Sequence, residues 1–205
     1  MDLLYTQSNL QEILEVENFD NCCLDFYSCN HIDPLTGRSS RESILTALRI
    51  CQEFASRNRR KIADDILKHL GIVKAESFET LHNFIDEEGV VRKGAIPAHK
   101  GQKLLIPMNM RDGCLIVTGK GNPDWNFSAP HGAGRLISRG EAKELFTVEE
   151  YEQAMEGIFT TSANASTIDE SPMAYKPADE IMKLIEPTVQ IEKIIRPIYN
   201  FKAGK

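Results

Sequence analysis

A chain of 205 residues with 41% hydrophobic content can build one packed domain with a sizeable core, or one domain with an appendage, but not two full domains. A net charge of −6 gives an overall field that repels nucleic acid, so any nucleic-acid contact must rest on a local basic patch. Five cysteines without regular spacing, and an N-terminus Met1-Asp2-Leu3-Leu4 with no basic stretch ahead of an apolar one, point to a reduced, cytoplasmic protein. No apolar run approaches the ~18 residues that span a bilayer, so no membrane role is expected.

Residues 1–40 carry little pattern beyond a short apolar periodicity at Leu10, Ile13, Leu14 and Val16, and remain an unassigned segment. Cys22, Cys23, Cys29 and His31 match no zinc-finger spacing, and buried thiols fit them better than metal ligands. From Ser39-x-x-Glu42, a capping box, apolar residues recur at helical spacing from Ile44 to Leu70 and stop at Gly71. This predicts a long amphipathic helix, and the pattern allows a break near Ser56. Its basic run Arg57, Asn58, Arg59, Arg60 and Lys61 reads as a solvated face.

Leu81 to Ile85, an acidic turn at Asp86 to Gly89, and Val90 to Ala95 predict a hairpin. His82 on such a strand reads first as a satisfied core histidine and second as a ligand. Arg92 and Lys93 ahead of Gly94 suit either an anion or a solvated turn. Leu104-Leu105-Ile106 and Cys114 to Val117 fit buried strands, joined by a constrained loop from Pro107 to Gly113. A second turn-rich loop, Lys120 to Asn126, leads into Ser128-Ala129-Pro130-His131-Gly132-Ala133-Gly134-Arg135-Leu136-Ile137-Ser138-Arg139.

In that stretch Gly132 and Gly134 let backbone N–H groups approach an anion, and Arg135 and Arg139 would share a face if a helix begins there. Alone, the histidine reads as an exposed side chain in a glycine-rich turn. Further on, Thr147-x-x-Glu150 opens a short helix ending at Gly157, and Pro177 suits the first turn of a helix to Ile185. Val189, Ile191, Ile194 and Ile195 predict a last strand before a polar tail, and the charged loop from Asp169 to Pro177 reads as surface.

Many motifs in order, more specific together than any one, change that reading. They are His82-Asn83, Arg92-Lys93-Gly94-Ala95, Ile106-Pro107 with Arg111-Asp112-Gly113, Gly119-Lys120-Gly121-Asn122, the Ala129 to Arg135 stretch with Ser138-Arg139, Asp169-Glu170 with Pro172 and Ala174-Tyr175-Lys176, and Tyr199-Asn200-Phe201-Lys202. From about Ile44 to the C-terminus the chain resembles the RtcB family of RNA-splicing ligases.

The resemblance implies an α+β fold over residues 41–205, with mixed sheets and flanking helices. It implies a GTP- and manganese-dependent enzyme of tRNA splicing and RNA repair, which joins an RNA 3′-phosphate or 2′,3′-cyclic phosphate end to a 5′-hydroxyl end. His131 matches the nucleophile that carries GMP, and His82 a manganese ligand. His82, Asn83, Pro107, Met108, Asn109, Met110, Cys114, the His131-Gly132-Ala133-Gly134 run, Tyr175 and Lys202 match positions around the nucleotide, and Arg135 and Arg139 suit RNA phosphate. Asn109 and Cys114 stand where many relatives carry serine.

The chain also departs from the family. Relatives are longer, and their N-terminal part supplies an Asp-x-x-Cys motif, an Asn-His segment ending in an acid, and a His-Ser-Gly-Ser-Arg histidine. This chain has no His-Ser-Gly-Ser-Arg, and Asp20-x-x-Cys23 and Asn30-His31 lie too close together to replace the others. A catalytic metal usually takes about three protein ligands. The expectation is therefore an incomplete ligase, either a truncated gene product or half of a split enzyme whose missing ligands come from a separate chain, with a non-catalytic nucleotide- or RNA-binding module as the alternative.

Overall fold

The computed structural model describes residues 40–202. The cysteine and histidine cluster of residues 22–31, Asp20-x-x-Cys23 and the Ser39 cap lie outside them. Contacts divide the chain into two units, Met1–Ala75 and Glu76–Lys205.

The first unit contains α1, Ser40–Leu70, which ends at Gly71 with φ +65°. It runs without the break that Ser56 suggested. One polar residue in a helix interior costs only tenths of a kcal/mol, and ion pairs one turn apart bracket this stretch: Arg57 to Glu53 and Lys61 to Asp65, each at 2.6 Å. The residues of the basic run are exposed, as a solvated face should be.

The second unit is built on small sheets with helices against them, an α+β arrangement. β1 (Phe84–Ile85) and β2 (Val91–Arg92) form the expected hairpin. β3 (Ala95–Pro97) pairs antiparallel with β6 (Ser128–Pro130). β4 (Lys103–Pro107), β5 (Cys114–Gly119) and β8 (Val189–Ile195) make an antiparallel sheet in the order β4-β5-β8, with a bulge opposite Ile116 and Val117. The apolar runs predicted β4 and β5, and their side chains alternate: Leu104, Ile106, Leu115 and Val117 face the core while Leu105 and Ile116 are half-buried.

Helix α2 spans Arg139–Leu145, α3 Val148–Ala154 and α4 Ala178–Leu184. Thr147 and Glu150 cap α3 reciprocally, as their spacing predicted. Sheet residues, Ala129, Ala133, Ile181 of α4 and Ile185 at its C-terminal cap share one core, and Met110, Tyr151, Met155 and Ile168 form a second under α3. β7 (Phe159–Thr160) pairs in parallel with β9 (Tyr199–Asn200), which ties down the polar tail. Among the described residues no helix is long and apolar enough to cross a membrane.

Candidate functional site

His131 follows directly on β6, and three neighbouring segments fix its surroundings. Its backbone N–H donates to the Gly94 carbonyl at 3.3 Å, the Ala133 N–H donates to the Pro107 carbonyl at 3.2 Å, and the Gly134 carbonyl accepts from Lys176 N at 3.1 Å. Glycine suits the second of these packings: a Cβ on Gly132 would stand 3.0 Å from the Pro107 oxygen, which would have to give by a few tenths of an ångström. The imidazole itself remains exposed.

His82 lies parallel to it, with ring centroids 5.4 Å apart and planes 5° from parallel. The expected strand does not include His82, and its ring is not in the core. Asn83 is the cause, since it takes the left-handed conformation with φ +53° and bends the chain ahead of β1. Its Oδ1 accepts from Gly94 N at 2.9 Å, so Asn83 also anchors the loop beside His131. Arg92 is no free anion ligand. It is buried, paired with Asp86, and donates to Ser128 Oγ at 3.0 Å, which joins β2 to β6.

The Pro107–Met110 loop is shaped by its own polar groups. Asn109 Oδ1 accepts from the backbone of Arg111 and Asp112 at 2.9 and 2.8 Å, and its Nδ2 donates to Asp112 at 2.7 Å. Asn200 Nδ2 donates to the Met110 carbonyl at 2.8 Å, which links the loop to β9. Cys114 pairs with Pro107 across the hairpin, and burial pushes its thiol pKa up.

Arg135 and Arg139 do not share a helix face. Ser138, with Glu141, forms a capping box that starts α2 at Arg139, so Arg135 stays in an extended segment bridged to Tyr175. The two arginines nevertheless converge on one residue: Arg135 Nη2 donates to the Asp169 carbonyl and Arg139 Nη1 to Asp169 Oδ2, both at 2.6 Å. Burial would raise the Asp169 carboxyl, but the Arg139 guanidinium outweighs it and holds that carboxyl below its ordinary value. Glu170 meets Arg139, Tyr175 and Lys202. Arg135 also lies 5.1 Å from the centre of the Tyr175 ring.

The structure thus brings together two groups. One is His82, Asn83 and His131 with the Pro107 loop, and the other is Arg135, Arg139, Tyr175 and Lys202. The acids Asp169 and Glu170, read from sequence as surface, are what hold the second group, and no local pattern could have signalled this. The Ser138-x-x-Glu141 cap was a signal in the sequence and marks where α2 begins. Beside β6 a cleft of about 410 Å³ is lined by Lys93, Trp125, Asn126 and Pro130 among others.

Manganese fits these residues poorly. His82 is the expected ligand, yet among the described residues no three His, Cys, Asp or Glu side chains gather as a metal ion requires. The site therefore lacks a complete metal-binding set within these residues.

A family model described as "tRNA-splicing ligase RtcB" matches residues 35–203. Over 186 residues the chain is 32% identical to an RNA-splicing ligase RtcB of Escherichia coli, covering 82% of this chain and 45% of that protein. It is 39% identical over 89 residues to a tRNA-splicing ligase RtcB of Aeropyrum pernix, covering 41% of this chain and 18% of that protein. With an RNA-splicing ligase RtcB of Mycobacterium tuberculosis it shares 27% identity over 177 residues, 78% of this chain and 40% of that protein. The chain spans less than half the length of these curated relatives.

Proposed function

Since this chain belongs to the tRNA-splicing ligase RtcB family, we propose that it supplies the nucleophile and much of the nucleotide-binding surface of an RNA ligase. The ligase uses GTP and manganese to join an RNA 3′-phosphate or 2′,3′-cyclic phosphate end to a 5′-hydroxyl end. The observation that carries this reading is the setting of His131, an exposed imidazole whose backbone is fixed by Gly94, with the Pro107 loop held against Gly132 and Ala133.

Each residue then has a task in physical terms. The unprotonated His131 nitrogen attacks the α-phosphorus of GTP, so that an N–P bond forms as the P–O bond to pyrophosphate breaks. The flanking backbone from Gly132 to Gly134 and the Pro107–Met110 loop border the nucleotide, with Asn83, Cys114, Tyr175 and Lys202. Arg139, half-exposed and beside Arg135, receives the RNA 3′-phosphate, which takes GMP from His131. The RNA 5′-hydroxyl oxygen then displaces GMP to form the phosphodiester. Manganese would supply charge neutralisation on phosphate oxygens, with His82 as one ligand and the others from a partner chain or from residues outside those described.

The test is reconstitution with the part of the Escherichia coli relative that this chain does not match. GTP labelled in its α-phosphate should mark this chain covalently in the mixture and not in His131→Ala. GTP binding that survives His131→Ala, with no labelling or RNA joining in any mixture, would instead make the chain a non-catalytic nucleotide- or RNA-binding module.

A further inference from the structure

Asp169 and Glu170 are adjacent acids to which the family resemblance gives no role, yet their side chains are only 8% and 16% exposed. Glu170 is where three segments of the chain meet. Its Oε2 accepts from the Tyr175 hydroxyl at 2.8 Å and from Lys202 Nζ at 3.3 Å, and its Oε1 lies 2.5 Å from Arg139 Nη1. These donors come from the turn after Glu170, the C-terminal tail and the first residue of α2. All three are groups expected to meet nucleotide or RNA phosphate.

The energetics favour a constructed arrangement over a chance surface contact. Burial works to raise the Glu170 carboxyl, and the Tyr175 hydroxyl, the Lys202 ammonium and the Arg139 guanidinium together hold it below the ordinary carboxylate range. Burial and the same carboxylate push the Tyr175 phenol up, so it remains a protonated donor. The Lys202 backbone is pinned, with its N–H donating to Ser162 Oγ at 2.7 Å and its carbonyl accepting from that hydroxyl at 3.1 Å. Among the described residues its ammonium is held by Glu170. Arg135, Arg139 and Lys202 outnumber Asp169 and Glu170, which leaves one excess positive charge for an incoming anion.

We infer that Glu170 is a positioning residue of the nucleotide site: one carboxylate holds Tyr175, Lys202 and Arg139 in a single arrangement before nucleotide and RNA arrive. Binding then does not have to order a lysine, an arginine and a tyrosine separately. This inference rests on the nucleotide-site reading above. An opposite reading of the same contacts has Glu170 standing where phosphate must go, and the two readings differ in the sign of one measurement.

That measurement is calorimetric titration of GTP into the full chain and into Glu170→Gln, with tyrosinate absorbance read against Tyr175→Phe. Loss of a hydrogen-bonded charged partner should weaken GTP binding about tenfold, and Tyr175 should ionise at lower pH. Equal or tighter binding overturns the inference. In a Lys202→Met chain the added Glu170→Gln change should cost less than in the wild type, because the two groups act through one contact. Additive losses would reduce Glu170 to a structural residue and overturn it too. Where Glu170→Gln unfolds, Glu170→Asp takes its place, keeping the charge one methylene short of its donors, and unchanged GTP affinity there overturns the inference. A wild-type chain that binds no GTP removes the nucleotide-site reading instead. Glu170 is then judged on Tyr175 ionisation alone, and an unshifted phenol ends its positioning role.

Discussion

Replacing Asp86 with Asn strikes the pair that joins the β1–β2 hairpin to the strand leading into His131. Arg92 has a side chain only 2% exposed and Asp86 one 17% exposed, so the substitution leaves a buried guanidinium without its counter-charge. Arg92 would keep Ser128 Oγ at 3.0 Å and the Asn126 carbonyl at 3.4 Å, and its position 5.8 Å from the Phe84 ring centre. None of these is an anion. Breaking a buried pair from one side costs ~3–5 kcal/mol, and the partial exposure of Asp86 places this case near the lower bound, about 3 kcal/mol. For a unit of this size that lowers Tm by roughly 10 °C.

The same substitution predicts a pH signature. Burial opposes ionisation of Asp86, but the hydrogen bonds from Arg92 and from Val90 N, with the Arg92 charge, hold its carboxyl below the ordinary value. A carboxyl depressed on folding adds stability above its unfolded pKa of ~3.9 and loses it as pH falls through the lower folded value. The Tm gap between wild type and Asp86→Asn should therefore be full at pH 7 and narrow below pH ~4. Circular dichroism melts across that range are the assay. A Tm loss under about 3 °C at pH 7, or a gap that does not narrow in acid, would mean that the Asp86–Arg92 pair does not stabilise the fold in this way.

Gly113→Ala places a Cβ 2.0 Å from the Ile195 carbonyl oxygen at φ +81°, so β5 and β8 must part and urea unfolding should show a loss above about 2 kcal/mol. Ser138→Ala removes the cap of α2 and should cost about 1 kcal/mol in the same assay. Gly132→Ala sets its methyl 3.0 Å from the Pro107 oxygen, and should weaken GTP binding several-fold while Tm moves by about 3 °C or less. Equal GTP affinity would mean that the junction of Pro107 with Gly132 does not border the nucleotide.

How much of this was legible in the sequence depends on how far each cause reaches along the chain. The β4–β5 hairpin, the caps at Ser138 and Thr147, and the stop of α1 at Gly71 rest on residues a few positions apart, and their patterns are visible in the sequence. The spacing of Arg135 and Arg139 misled for a local reason: Ser138 is a stronger start signal than a four-residue interval between arginines. The burial of Asp169 and Glu170 was illegible because their partners, Arg139 and Lys202, lie 30 and 32 positions away. The β7–β9 pairing is equally remote, joining two-residue strands 40 positions apart through contacts such as Thr160 Oγ1 to the Asn200 carbonyl at 2.9 Å. His131 needed its neighbouring motifs, since an exposed histidine between a proline and two glycines has no periodicity to classify.

Peptide mass spectrometry after incubation with GTP and Mn²⁺ shows whether His131 carries the guanylyl group. In the reconstituted mixture GMP is expected on His131, lost in His131→Ala, with no more than a trace on this chain alone. GMP on another residue, or undiminished labelling of the His131→Ala chain, would contradict it.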